Sequence, residues 1–317
     1  MQSPMAFANY TDLTVNSAGL VVTPLGHIPV PYFLQVVTVI LIFAVSLSSG
    51  FSLWMMFDLW SMFIYGLIQL FFPFVFIPQV EVRVDGVHLF MVRAFGIMLL
   101  GSAYLWWNVR NSKDITVHTT LMWARVMGGA AALLAQGFAQ FNKASRMTQE
   151  HLYISVLLTV LWTLGNLIYC MRSTEWGGYM ETRSKLNNFL HTDFVITLIF
   201  GIMFYAYPVW LLRVQTSLPR LNVVHAHLYR LFGSALMSSA IISGRASNFL
   251  IASDKRVQLY TRVLINVGLI ILFLVTYFST AKHNDWSVPN TPFILGVVGI
   301  WTLNAFCGSY SLAYFKN

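Results

Sequence analysis

Charged side chains are scarce in this chain. They make up 9% of its 317 residues, against roughly 25% in a soluble domain. Asp and Glu together number 11 and fall mostly in loops, which leaves little for acid–base chemistry. H-E-x-x-H, G-x-S-x-G and the phosphate-binding P-loop are all missing, and with them the corresponding hydrolase and nucleotide chemistries. No lysine stands in the middle of an apolar run, so a retinal Schiff base is excluded. Two cysteines, Cys170 and Cys307, make neither a disulfide framework nor a metal-ligand spacing. Both sit in apolar runs and read as inert thiols. The expectation is a protein with no catalytic residues, no metal and no cofactor.

What the chain has in abundance is apolar and aromatic surface: 57% hydrophobic and 15% aromatic residues, 25 of them Phe. The formal charge of +8 comes from bases in short loops between apolar runs. Loop bases so placed orient a membrane protein and do not call for nucleic acid. Nine runs are long enough to cross about 30 Å of hydrocarbon. They cover Tyr32–Ser49, Trp54–Phe76, His88–Asn108, Val117–Phe141, Leu152–Met171, His191–Leu212, His225–Arg245, Val257–Ala281 and Pro292–Tyr314. Arg110, Lys113, Arg172, Arg183, Lys185, Arg245, Lys255, Arg256 and Lys316 fall on one side, and Arg83, Lys143, Arg146, Arg213, Arg220 and Lys282 on the other. Nine against six makes the first side cytoplasmic. The polar stretch Met1–Ile28 lacks the basic and apolar segments of a cleavable signal, so the first run is expected to remain a span. Asn9, in Asn9-Tyr10-Thr11, is a glycosylation candidate that fits an outside N-terminus.

The apolar pattern is written twice. Asp58 and Asp193 are 193 − 58 = 135 apart, as are Pro73 and Pro208 (208 − 73 = 135). Beyond a two-residue insertion, His88/His225, Arg93/Arg230, Gly96/Gly233 and Arg125/Arg262 are each 137 apart (225 − 88, 230 − 93, 233 − 96, 262 − 125). A repeat this long describes two copies of a whole helical bundle. Four spans per copy is an even number, so both copies enter from the same side as a parallel repeat. The expected organisation is a polar segment with one extra helix (1–53) followed by two four-helix units (54–175 and 176–317).

Arginines within apolar runs cost about 2.5–3.5 kcal/mol each at a helix centre, so they pair, snorkel or line a cavity. Depth allows Asp58 to pair with Arg125 and Asp193 with Arg262, as clamps within each copy. Arg93 and Arg230 lie near the opposite face, each five residues after a histidine, His88 or His225. Those four are the candidate headgroup or ligand contacts. His151, His227 and His283 also gather at that end of the spans, where imidazoles are ordinarily interfacial. Small residues at four-residue spacing form packing stripes: Ala131, Ala135 and Ala139 beside Gly128, and Ala235, Ser239 and Ser243.

Trp54 through Pro73 with Arg93, Phe95 and Gly96, and again Phe189 through Pro208 with Arg230, Leu231, Phe232 and Gly233, describe a proline-ended helix, a short loop and an Arg-x-[FY]-Gly opening, with Leu231 at the x position of the second. This pattern resembles the tumour-suppressor-inducible protein eleven family of small four-span membrane proteins and, more distantly, DoxX-like proteins. The chain departs from them in being duplicated and in its extra first span. The resemblance implies architecture and supplies no catalytic residues.

The expected protein is therefore an all-α integral membrane protein of about nine spans. Its expected role is that of a non-enzymatic accessory or scaffolding subunit, in contact with lipid and with a membrane-protein partner inside a complex. The alternative is a transporter or a lipid- or quinone-binding protein using the interface between the copies. A continuous polar cavity there favours the alternative, and a dry packed seam favours the scaffold. The plasma membrane or an endomembrane is the expected location, with the mitochondrial inner membrane as alternative.

Overall fold

The computed structural model describes residues 20–23, 26–76, 84–141, 149–177, 184–218, 221–280 and 290–311. Asn9 and His283 lie outside them, as does the side chain of His151. Contacts divide the chain at Ser49/Gly50. The first unit holds an antiparallel hairpin, β1 (Leu20–Thr23) with β2 (Gly26–Pro29), and the helix α1 (Val30–Ser48).

The second unit, Gly50–Asn317, is a helical bundle. Its helices are α2 (Phe51–Phe71), α3 (Gly86–Val109), α4 (Ile115–Phe141) and α5 (Gln149–Arg172), then α6 (Lys185–Ala206), α7 (Pro208–Gln215), α8 (Val223–Ala246), α9 (Ala252–Thr280) and α10 (Thr291–Tyr310). Helix α2 starts after Gly50, whose φ of 100° puts it in the region where a side chain is strained.

Six of the described helical segments are long and apolar enough to cross a membrane: Phe51–Phe71, Gly86–Val109, Tyr153–Arg172, Lys185–Ala206, Ala252–Ser279 and Phe293–Tyr310. Large apolar side chains stand open on the outer faces, among them Leu134, Phe278, Phe293 and Ile300 at 68–75% exposure. Surface of that kind needs a lipid cover. The chain is thus a membrane-embedded helical protein. Helices α4 and α8 are as long but less apolar, because they run through the middle of the bundle. There the protein itself supplies hydrogen-bond partners to polar groups such as Arg125, Gln136 and Ser243.

Proline resets two boundaries drawn from the apolar runs. The second run stops as an α-helix at Phe71 and continues as a 3-10 turn, Pro73–Phe76. The sixth breaks at Tyr207, and Pro208 opens α7 as its first residue. Proline has no N–H to donate and its ring clashes with the preceding turn, so it starts helices and does not extend them.

Between membrane helices hydrophobic burial gives no net drive, so close packing and hydrogen bonds hold them together. Helix α2 crosses α3 at Gly66 and Gly96, where a Cβ on Gly96 would stand 2.8 Å from the Gly66 carbonyl oxygen. Helix α6 crosses α8 at Gly201 and Gly233, where a Cβ on Gly233 would stand 2.7 Å from the Tyr205 nitrogen and 2.9 Å from the Gly201 carbonyl oxygen. These two crossings lie 201 − 66 = 135 and 233 − 96 = 137 residues apart.

The halves of the bundle, α2–α5 and α6–α10, meet along a seam where α3 packs on α9, α4 on α8 and α3 on α8. Gly101 faces Ile265 and Gly268 faces Ile97. Gly128 lies against Ser238, whose hydroxyl donates to the Ala124 carbonyl at 2.8 Å, and Tyr205 donates to the Ala131 carbonyl at 2.9 Å. An apolar core runs through the seam, with Met91, Ile97 and Met98 from α3 beside Phe232, Leu236, Ile265 and Phe273 from α8 and α9.

Because backbone atoms surround Gly233, Gly233→Ala is expected to cost about 1–3 kcal/mol, the usual range for overpacking. Gly296, with open space around it, is the control: Gly296→Ala is expected to leave the melting temperature unchanged or slightly raised. Thermal unfolding in one detergent compares the two.

Candidate functional site

Three polar assemblies stand out from the apolar background. The first two are ion pairs. Arg125 on α4 donates to Asp58 on α2 through Nε (3.0 Å) and Nη2 (2.6 Å), and Asn166 on α5 donates to the same carboxylate at 3.4 Å. Asp58 is fully buried, while the Arg125 side chain keeps 26% of its surface.

Asp193 on α6 has a fuller set of donors. Arg262 on α9 donates through Nε at 2.8 Å, Trp301 on α10 through its indole N–H at 2.6 Å, and Ser243 on α8 through its hydroxyl at 2.5 Å. Gln258 donates to Ser243 at 2.8 Å, and Arg262 Nη2 donates to Ser239 at 2.8 Å. Here both charged side chains have no exposed surface. The guanidinium also lies 4.8 Å from the centre of the Trp301 ring, a cation–π contact. Removing one partner of such a pair leaves an uncompensated buried charge and costs about 3–5 kcal/mol.

Ser239 and Ser243 therefore differ from the small-residue stripe read from the sequence. They thin the helix, and they also hold the ion pair. Ala135 and Ala139 are buried, and Ala131 and Ala235 are half-buried. Gly128 contributes to the α4–α8 crossing described above.

The third assembly lies where α3 and α8 begin. Asp85 caps α3: its Oδ1 accepts the Val87 and His88 backbone N–H groups at 3.0 and 3.1 Å. Asn222 caps α8 by accepting the His225 N–H at 2.9 Å. Each histidine returns the bond, its Nδ1 accepting the backbone N–H of Asp85 (3.3 Å) or Asn222 (3.2 Å). These are capping boxes with histidine in the place usually held by Glu or Gln.

The two boxes also join each other. The imidazoles of His88 and His225 stack, with ring centres 3.7 Å apart and planes 28° apart. His225 Nε2 reaches Asp85 at 2.9 Å, and His88 Nε2 reaches Asn222 Oδ1 at 3.3 Å. Since Nδ1 of His225 accepts its cap N–H, its Nε2 carries the proton and donates to Asp85. His88 Nδ1 has two partners with opposite demands: the Asp85 N–H, which needs a lone pair, and the Asp85 carboxylate at 2.9 Å, which needs a proton.

Burial pushes the Asp85 carboxyl up. Hydrogen bonds from His225 and His88, together with their charge, outweigh this and hold it well below the usual carboxylate range. The N-terminal ends of α3 and α8 add positive dipole potential of the same sign.

Ligand atoms of Asp85, His88 and His225 lie within 4.8 Å of one another, but the set does not fit a metal ion. Two imidazoles on one tetrahedral ion, at N–metal distances near 2.0 Å, hold their ring centres about 5 Å apart. Here the rings are stacked at 3.7 Å, their Nδ1 atoms serve the caps, and two positive helix ends face the position.

His88 and His225 are 1% exposed, enclosed by the bundle at the starts of α3 and α8. Arg230 packs over the Phe138 ring at 4.3 Å, and Arg93 is half-buried on α3. Asp85 and Asn222 both precede the apolar runs and do not stand out in the sequence. The signal was present: an Asp or Asn three residues before a histidine at a helix start, at the shared offset of 222 − 85 = 137.

A multi-pass helical membrane protein held by interior ion pairs and a joined pair of helix caps is the class these observations define. Residues 56–310, from within α2 to the end of α10, match the family described as Domain of unknown function (DUF8292), and the chain belongs to it. No curated protein and no solved structure matches.

Asp58→Arg and Arg125→Asp are each expected to lower the yield of folded protein, and the double exchange to restore most of it. Monodispersity on size exclusion reads the outcome, and a double variant no better than the singles rules out the pairing as a source of stability. Asp85 gives a pH dependence. Its folded value is depressed, so its contribution is complete above the ordinary value of 3.8 and fades as pH falls below it. Wild type is expected to melt above Asp85→Asn at pH 7, with the gap closing as the pH falls below about 4.

Proposed function

We propose that the protein is a non-enzymatic scaffold of the membrane, two tandem four-helix units in parallel repeat behind an extra N-terminal helix, about nine spans in all. In this reading it serves as an accessory subunit that holds a membrane-protein partner through its outer helix faces. The seam between the halves carries the reading. It is filled by the apolar core of α3, α8 and α9 and by glycine and serine crossings, which favours a rigid body over alternating access. Short loops leave partner contact to the bilayer, where exposed apolar faces such as that of α10 are available.

The repeat is supported by interactions that recur at the same offsets: the Gly66/Gly96 and Gly201/Gly233 crossings, the two Asp–Arg pairs and the two capping boxes. The resemblance to the four-span families accords with each unit having begun as a free four-helix protein. A plasma-membrane or endomembrane location goes with this reading, with the mitochondrial inner membrane as alternative.

The reading is tested by purifying the protein in mild detergent from its own membrane and identifying by mass spectrometry what travels with it. A stoichiometric membrane-protein partner is the expected result. A monodisperse chain carrying only a lipid or quinone overturns it in favour of a binding role for the bundle.

A further inference from the structure

One face of α9 carries three polar side chains at helical spacing, Gln258, Arg262 and Asn266. Their exposures are 1%, 0% and 0%. Each keeps a buried polar atom with no partner among the described residues: Oε1 of Gln258, Nη1 of Arg262, and both Oδ1 and Nδ2 of Asn266. Their other polar atoms are engaged. Gln258 donates to Ser243, and Arg262 to Asp193 and Ser239. Buried polar groups in folded proteins have partners with few exceptions, so a free donor or acceptor at zero exposure points to a molecule that supplies one.

The chemistry of the four free atoms narrows the choice. Two are donors (Arg262 Nη1, Asn266 Nδ2) and two are acceptors (Gln258 Oε1, Asn266 Oδ1). An anion would meet the two carbonyl oxygens and the nearby Asp193 carboxylate, and a cation would meet the guanidinium. A neutral molecule that both donates and accepts satisfies all four. At two to four polar partners per molecule, that is the usual environment of buried water. We propose that the Gln258–Arg262–Asn266 stripe binds internal water inside the membrane-spanning bundle, linked through Ser243 to the Asp193–Arg262 pair.

The other half of the bundle shows that the stripe is not a requirement of the clamp. At the same offset stand Leu121, Arg125 and Gly129 (258 − 121 = 262 − 125 = 266 − 129 = 137). Arg125 has a carboxylate partner as Arg262 does, but its side chain keeps 26% of its surface, so its remaining nitrogen can find a partner outside the bundle. Arg262 has no such outlet at 0%. The polar stripe is present where the arginine is sealed and lacking where it is open. This inference goes beyond the scaffold reading and stands whether or not a partner protein is found.

The decisive experiment is a high-resolution density map of the unaltered chain in nanodiscs, joined to the melting temperature of Asn266→Leu. The expected map shows an isolated peak of water strength within hydrogen-bond distance of Asn266 and of Arg262 Nη1 or Gln258 Oε1. The expected variant melts a few degrees lower, because replacing Asn266 removes two of the four groups that hold the water. A side chain that merely sits bare behaves oppositely, since exchange for an apolar residue of similar size is neutral or stabilising. An Asn266→Leu protein that melts at or above wild type overturns the proposal. So does a map with α9 packed dry, or one whose peak has the coordination number and short ligand distances of an ion. If Asn266→Leu does not fold, the map of the unaltered chain decides alone.

Discussion

A carboxylate inside a membrane bundle cannot stand without donors, and the arrangement of α6, α8, α9 and α10 follows from that demand at Asp193. Its two oxygens take up hydrogen bonds from three different helices, through Arg262, Ser243 and Trp301. Each donor is useful only at one helix rotation and one depth, so satisfying the carboxylate fixes the register of its neighbours. Dispersion contacts alone tolerate sliding, because one aliphatic contact resembles the next. The glycine crossings then set how close the backbones come, and the polar set determines where along the axis they meet.

Asp58 obeys the same rule with fewer partners. Its carboxylate is buried, yet Arg125 keeps part of its surface, and among the described residues only Asn166 adds a further hydrogen bond. The two pairs thus share a charge pattern and differ in how far each is closed off. Interior Ser, Gln and Asn side chains gather around the sealed pair. Around the open pair, Leu121 is buried and apolar, and Gly129 faces the Thr163 hydroxyl of α5.

Much of this was legible from residue order. A charged side chain in an apolar run is conspicuous, so Asp58, Arg125, Asp193 and Arg262 identified themselves, and similar depth paired each acid with a base. Helix positions followed from apolar length, except where Pro73 and Pro208 cut a run that composition alone carried through. Other parts were hidden for physical reasons. Ser239 and Ser243 are small, and smallness dominates a sequence reading even when the hydroxyl is what counts. Nothing in its sequence context sets Trp301 apart from the chain's other aromatics, although its indole N–H donates to the Asp193 carboxylate. The joined caps were least visible, since His88 and His225 face each other only after two helices separated by more than a hundred residues have packed. From the sequence they read as interfacial histidines. In the folded chain both are 1% exposed, against 4% for His227.

The unlike caps at the start of α3 and α8 have one more implication. Suppose the Asp85 end met a copy of itself: two carboxylates would confront each other across the stacked rings, with like charges a few ångströms apart. Suppose instead that the Asn222 end met its own copy: neither ring would find an anion, and the positive ends of two helices would face one another uncompensated. Only the mixed encounter supplies a single negative charge to two imidazoles and two helix ends. The halves are therefore matched as a heterologous pair, each better suited to the other than to itself. Carrying both on one polypeptide keeps the unlike cap at high effective concentration and so favours the mixed encounter.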